Sequence, residues 1–516
     1  MKKYFLLFLI LGIVLVNCKK NDDSPDANPI VSEEPDEETT VEPKLVADYP
    51  VQNFMWTAMN AYYFYQADVA DLADTRFTTE EGYADFLSST VNPSDFYFNK
   101  LLASADRFSF LNEDYAELAN DFAGISKSNG LEFGLSLYGA NNDVFGFVRY
   151  VVKGSNASSK DIKRGDIFTT VDGQGLFYNS ETDNNLDLLF GDNDTYTLGM
   201  ADIINLTIVP NNKTVTLTKE EGLIEDPILV QETLDIGGQK VGYLMFNQFA
   251  GGSGEPLNDA FGRFKTNGVT DLILDLRYNP GGFAHITQIL GSLIYGPNPD
   301  DLFFKRRFNA KIQATFGPGD GETYFVSDTG TFDGSNETPL NSLNLTKIYI
   351  IATGNSASAS ELLINGLRPY LDVVHIGSTT VGKNQGSITF VDDPSNGYFY
   401  DPETVNQINP NNRWAIQPIV SQTENSAGFG DYSAGLVPNI QIDEDITELG
   451  VLGDMNERLL ARAIQELTGI SSKMDFTAKI PVDLVTSSSL RGPMGGKLLF
   501  IDVPASFKIP YKRENR

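Results

Sequence analysis

Histidine and cysteine are almost missing from this chain: its 516 residues include two histidines, His285 and His375, and one cysteine, Cys18. A Ser-His-Asp triad has little to draw on, and a zinc site of Cys and His ligands has less. One cysteine also excludes an internal disulfide framework. Positive charge is scarce: 38 Lys and Arg stand against 69 Asp and Glu, for a net charge of -31, which disfavours nucleic acid and anionic membrane surfaces as partners. Long hydrophobic runs are lacking too. The apolar stretch from Tyr4 to Val16 is shorter than the roughly 20 residues a transmembrane helix needs. What is present suits a folded protein, and the length allows two or three domains with cores of their own.

Lys2 and Lys3 precede that apolar stretch, so residues 1–17 read as a signal peptide. Leu15-Val16-Asn17-Cys18 resembles a bacterial lipobox, although Asn17 replaces the small residue usual there. Cys18 would then be the lipidated first residue of the mature protein, and the lipid its membrane contact. The expected location is the cell envelope, outside the cytoplasm and at the outer membrane. Ordinary cleavage near Cys18 fits the same segment. Residues 18–48 repeat Asp, Glu and Pro with few large apolar side chains, and so read as an acidic flexible linker.

Over residues 49–125, Val51, Phe54, Met55, Ala58, Tyr62 and Tyr63 recur at helical spacing, and Glu80 and Glu81 follow Thr78 and Thr79 as a helix start. This is a helical N-terminal module. Residues 126–225 change to short strands: Leu131 to Leu137 alternates around Gly134, Phe147 to Val152 is a second run, and Gly165-Asp166-Ile167 leads to Val171-Asp172-Gly173. That order is similar to a PDZ domain, in which an extended peptide joins a sheet edge and loop N–H groups hold its terminal carboxylate. The similarity implies a peptide-binding loop at Glu132-Phe133-Gly134-Leu135. Residues 226–470 read as α/β, with buried strands at Val241–Phe246, Asp271–Leu276, Lys347–Ala352 and Asp372–Ile376, and helices at Glu361–Tyr370 and Glu457–Leu467. The extension 471–516 has more basic than acidic residues and no catalytic pattern.

Gly354 to Glu361 reads GNSASASE, and Lys383 follows Ser358 by 25 positions in Val381-Gly382-Lys383. The predicted strand and helix on either side put Ser358 on their connecting turn, where unpaired N–H groups and a positive helix end suit a developing oxyanion. Ser358-Ala359-Ser360-Glu361 equally fits an S-x-x-E capping box, common in inactive proteins. A serine nucleophile needs a base, and Lys383 is the best candidate. A third segment, Leu272 to Arg277, ends in Asn279-Pro280-Gly281-Gly282. Glycines after a strand can bring N–H groups into a cleft, or simply make a tight turn.

Together these segments resemble the tail-specific, or carboxyl-terminal processing, serine proteases of peptidase family S41. The resemblance implies a multidomain α/β chain: a helical N-terminal module, a PDZ-like β-rich domain and an α/β protease core. It implies Ser358, rather than Ser356 or Ser360, as nucleophile, on the 25-residue spacing. Lys383 would be its base, with a pKa lowered about two to three units from roughly 10.4. Oxyanion amides would come from Gly281 or Gly282 and from Ala359. No cofactor or metal is implied, and the partner is a protein or peptide substrate, held through its C-terminus. Many relatives carry a glutamine four positions after the lysine. Here Ser387 stands there and Gln385 two positions after the lysine, so either could orient the amine. Two other readings use the same residues: a non-catalytic peptide-binding lipoprotein that keeps the fold, or an esterase.

Overall fold

Pro50 opens the first helix, Pro50–Tyr62, at the position where a missing N–H costs nothing. Phe54, Met55, Ala58, Met59 and Tyr62 are buried along it. The second helix, Glu80–Ser88, starts where Thr79 Oγ1 accepts from Gly82 N at 3.1 Å, with Glu80 and Glu81 against its positive end. The computed structural model describes residues 44–123, 125–139, 141–330, 338–470 and 474–491, and the backbone of Leu499 and Phe500. The signal segment and Cys18 lie outside the described residues. A 3-10 turn at Val46–Asp48 starts the N-terminal module slightly before the expected boundary. Its aromatic stripe joins the main core: Phe54, Tyr63 and Phe96 share one cluster with Leu274, Ile350 and Leu363.

The β-rich section is an antiparallel sheet. Its strands run in the order Leu484–Ser487, Leu131–Tyr138, Asp143–Val151, Gln174–Ser180, Ile167–Val171, Thr195–Ile204, Thr207–Thr218. Phe133, Leu135, Val148, Phe168 and Leu198 belong to its own core. Two expectations change here. Residues 132–135 lie inside a strand, not a loop: Leu131, Phe133 and Leu135 are buried at alternate positions, the period of a pleated strand. The C-terminal extension, given no role above, supplies the strand paired to that edge.

The α/β part carries a six-stranded sheet ordered Ile228–Ile236, Gln239–Phe246, Asp271–Asp275, Lys347–Ala352, Asp372–Gly377, Ile440–Gln441. The first pair is antiparallel and the rest parallel. The central strands read as unbroken apolar runs because both faces are covered. Leu272, Leu274, Ile348 and Ile350 cluster with the helices Gly254–Thr266, Ala284–Tyr295 and Ala359–Leu367. Ile273, Tyr349 and Ile351 cluster with the helix Arg458–Thr468. Asp271–Asp275 and Lys347–Ala352 are neighbours and both end in irregular turns, 276–281 and 353–358. Open parallel sheets bind ligands beyond such carboxyl ends. A second sheet, Gly282–Phe283, Leu499–Phe500, Gln385–Ser387, Ile419–Asn425, Leu302–Phe308, Glu322–Tyr324, flanks these turns.

His375 is fully buried on the Asp372–Gly377 strand, its Nε2 3.2 Å from the Ala352 carbonyl oxygen. Burial lowers its pKa from 6.5 to about 4. The unfolded chain takes up a proton near pH 6.5 that the folded chain refuses until about pH 4. Stability therefore falls as pH drops through that window, by on the order of 3 kcal/mol at its foot. His375→Gln should flatten this slope in urea midpoints measured at pH 7 and pH 4.5. Equal slopes in both proteins would show that the histidine contributes none of it.

Candidate active site

Ser358 caps the helix Ala359–Leu367 in an unusual backbone conformation, φ 62° and ψ -110°. For a residue with a side chain this costs of order 1–3 kcal/mol and persists only where neighbours enforce it. The flanking serines are among those neighbours. Ser356 Oγ donates to Leu276 O at 2.7 Å and accepts from Thr353 N at 2.9 Å, while Ser360 Oγ donates to Asn279 O at 3.0 Å. Ala357 N also donates to Asn279 O, at 3.2 Å. Ser356 and Ser360 thus staple the serine turn to the turn after Asp271–Asp275, and Ser358 sits on the strained elbow between them.

Glu361 joins that elbow to the lysine. Its Oε2 accepts from Ser358 N and from Lys383 N, each at 2.8 Å, and its Oε1 accepts from Gly382 N at 2.7 Å and Thr380 Oγ1 at 2.5 Å. Two backbone nitrogens from segments 25 positions apart therefore share one carboxylate oxygen. Burial pushes the Glu361 pKa up, and the four donors pull against it. With donors on both oxygens, the arrangement suits the ionised, acceptor-only form. The capping box foreseen in the sequence is present, and the same glutamate ties down both candidate catalytic turns. Ser358 and Lys383 are both fully buried. The Lys383 Nζ lies 5.3 Å from the ring centre of Phe108, and Arg107 Nη2 holds the Gly382 carbonyl at 3.1 Å. The N-terminal module thus roofs the lysine.

Gly281 and Gly282 have φ 113° and 139°, and a side chain at Gly282 would meet the Phe249 carbonyl oxygen at 2.3 Å, so the turn needs glycine there. The N–H of Gly281 is committed to Asn279 Oδ1 at 2.9 Å. Of the two oxyanion candidates, Gly281 thus has its N–H engaged within its own turn, while Gly282 pairs with Leu499. Ala359 is the first residue of its helix, so its N–H has no acceptor within the helix.

Residues 240–423, which enclose both turns, match the model of Peptidase family S41, and residues 50–110 match the Peptidase S41 N-terminal domain. The chain carries the domains of peptidase family S41. It is 25% identical over 276 residues to a CtpA-like serine protease of Staphylococcus aureus (strain N315), covering 52% of this chain and 45% of that one. To the chloroplastic C-terminal processing peptidase of Tetradesmus obliquus it is 24% identical over 303 residues, 57% of this chain and 56% of the other. The chain spans about half the length of these curated relatives. The crystal structure of an S41 protease from Bacteroides fragilis NCTC 9343 superimposes with a TM-score of 0.59 at 25% identity, covering 81% of this chain and 97% of that one.

Within the S41 domain, Asp275 and Arg277 turn out to be structural. Arg277 is fully buried between Asp275 (2.7 Å), Glu457 (2.6 Å) and Glu444 (3.1 Å). Burial alone would push Glu444 up, yet Arg164 and Arg277 hold its pKa down at about 2. This network anchors the strand end from which the glycine turn departs.

Gln385 and Ser387 are the two candidates for orienting the lysine amine. Gln385 donates its amide to the Tyr65 hydroxyl. Ser387 Oγ accepts from Gln417 Nε2 at 3.2 Å, and Gln417 Oε1 accepts from Thr389 Oγ1 at 2.6 Å. A buried glutamine thus does approach this part of the S41 domain, but from Ala415–Gln417. Sequence reasoning missed it because nothing local marks that position. It also missed Arg149, fully buried on the β-rich sheet, whose Nη2 donates to Asn355 Oδ1 at 2.8 Å in the serine turn. Phe133, Gly134 and Leu135 lie on the strand beside the C-terminal extension. Among the described residues, no group of three or more His, Cys, Asp or Glu side chains could hold a metal ion, and no helix is long and apolar enough to cross a membrane.

Proposed function

We propose that the protein is a serine endopeptidase of the carboxyl-terminal processing type. Ser358 Oγ attacks the carbonyl carbon of the scissile peptide while its proton passes to the Lys383 amine. The N–H groups of Gly282 and Ala359 hold the oxyanion. The C–N bond breaks as Lys383 returns the proton to the leaving amine, and a water deprotonated by Lys383 then hydrolyses the acyl ester. The observation that carries this reading is the Glu361 carboxylate, which fastens the strained Ser358 elbow and the Lys383 turn at one point. The substrate would be a protein C-terminus lying as an extended strand, with the PDZ-like β-rich section supplying the edge.

Ser358→Ala should abolish cleavage of an unstructured protein substrate and leave thermal unfolding unchanged. Ser356→Ala and Ser360→Ala should keep kcat within roughly tenfold; Ser356→Ala should lower stability by about 1–3 kcal/mol because Thr353 N loses its acceptor, and Ser360→Ala should cost less because Asn279 O keeps Ala357 N as a donor. Equal loss of activity in all three, at normal stability, would show that the nucleophile is wrongly chosen. A wild-type chain that binds peptides but cleaves none would favour the binding-lipoprotein reading.

A further inference from the structure

The C-terminal extension occupies the places where an extended substrate would have to lie. Its strand Leu484–Ser487 pairs antiparallel with the outer strand Leu131–Tyr138: Leu484 faces Ser136, Thr486 faces Leu135 and Ser487 faces Gly134. Ser136 Oγ donates to the Asp483 carbonyl. Where this pairing ends, Phe133 N donates to Ser488 Oγ at 2.9 Å and the Ser488 hydroxyl donates to Glu132 Oε2 at 2.6 Å. The next residues reach the serine turn. Ser487 Oγ is 3.4 Å from Asn355 Oδ1, Arg149 Nη1 donates to Ser489 Oγ at 3.3 Å, and Ser489 and Pro280 line one cavity of about 110 Å³. Farther on, the backbone of Leu499 and Phe500 pairs in parallel with Gly282 and Phe283, and Phe500 with Ser387. One tail therefore supplies a strand on the β-rich edge and another between the glycine turn and the strand after Lys383.

Main-chain pairing at a sheet edge is largely indifferent to side chains, so a substrate strand and the tail would make the same bonds at the same edge and exclude each other. The tail has the advantage of tethering, which gives a short linked ligand an effective concentration of order millimolar. We propose that Asp483–Arg491 is a tethered ligand of the Leu131–Tyr138 edge, and that a substrate's extended C-terminal peptide binds there by displacing it. The proposal rests on reading the chain as a peptidase that takes extended peptides.

The test measures binding in a Ser358→Ala background, so that no cleavage enters the result. The probe is a fluorescein-labelled synthetic peptide with the sequence of residues 483–491, DLVTSSSLR. By fluorescence anisotropy, a chain ending at Val482 should bind it at least tenfold more tightly than the intact chain. Equal affinities would overturn the proposal. So would no binding by a truncated chain that still unfolds at the intact chain's temperature. A second variant avoids truncation: Ser136→Cys with Leu484→Cys in the full chain. Directly opposed antiparallel residues have Cα atoms about 4.5–5.5 Å apart, within disulfide reach. The oxidised protein should bind the probe at least tenfold more weakly than the reduced one. Identical binding before and after reduction sinks the proposal even where the truncated chain fails to fold. The peptidase reading fails separately, if the wild-type chain cleaves no peptide while the truncated variant binds the probe.

Discussion

Lys383→Arg should lower kcat roughly a thousandfold, as far as Lys383→Ala does, because a guanidinium keeps the charge and much of the reach but cannot give up its proton at usable pH. A lysine that only supplied positive charge to an oxyanion or a substrate carboxylate would behave in the opposite way, and arginine would then retain much of the rate. The placement of Lys383 makes the comparison clean. Its backbone N–H is fixed on Glu361 and its side chain lies under Phe108, so the two substitutions alter the amine while the turn keeps its anchor. Stopped assays across pH 6 to 10 add a second discriminant. A lysine base gives a rate that rises with pH as the amine loses its proton, whereas an electrostatic lysine loses its effect on deprotonation. An active Lys383→Arg protein, together with a wild-type rate that falls on the alkaline side, would remove the Ser-Lys mechanism even if Ser358 proved essential.

The elements that position this site were largely legible in the sequence. Runs such as Lys347–Ala352 and Asp271–Asp275 are apolar on both faces and end at glycine-bearing turns, so their burial and their ends are written locally. The S-x-x-E pattern likewise placed Ser358 at a helix start. What the same pattern did not reveal is the second use of Glu361, because its partners Thr380, Gly382 and Lys383 come from another strand's loop. Distance along the chain hides the rest in the same way. Arg149 meets Asn355 across 206 residues, and Gln417 reaches Ser387 only because two strands bring them together. Residues 132–135 show the reverse error. Their alternation already marked a strand, and likeness to a peptide-binding domain drew them into a loop. The extension was silent because edge pairing uses main-chain groups, which every sequence possesses.

Glu361→Gln should be strongly damaging although it is nearly isosteric. The glutamate accepts from four donors: Ser358 N and Lys383 N on Oε2, Gly382 N and Thr380 Oγ1 on Oε1. A glutamine has one acceptor oxygen, and whichever way its amide is turned, the NH₂ group faces two of these donors. Rotating Thr380 Oγ1 can relieve one conflict but not those with backbone N–H groups. At a fully buried residue, leaving donors unmatched costs about 1–3 kcal/mol each, so a loss of roughly 2–5 kcal/mol is expected in urea unfolding. The kinetic consequence separates this from simple destabilisation. Glu361 touches no substrate in the proposed mechanism; it positions the nucleophile and the base relative to each other. Below the variant's unfolding temperature, KM should stay within about threefold while kcat falls roughly a hundredfold or more, the pattern expected when reacting groups lose alignment after substrate is bound. Glu361→Asp keeps an acceptor-only carboxylate on a shorter arm and should recover part of both losses. A Glu361→Gln protein with wild-type stability and kcat would mean that the carboxylate does not hold the two turns in register, and the observation supporting a joint Ser358 and Lys383 site would lose its force.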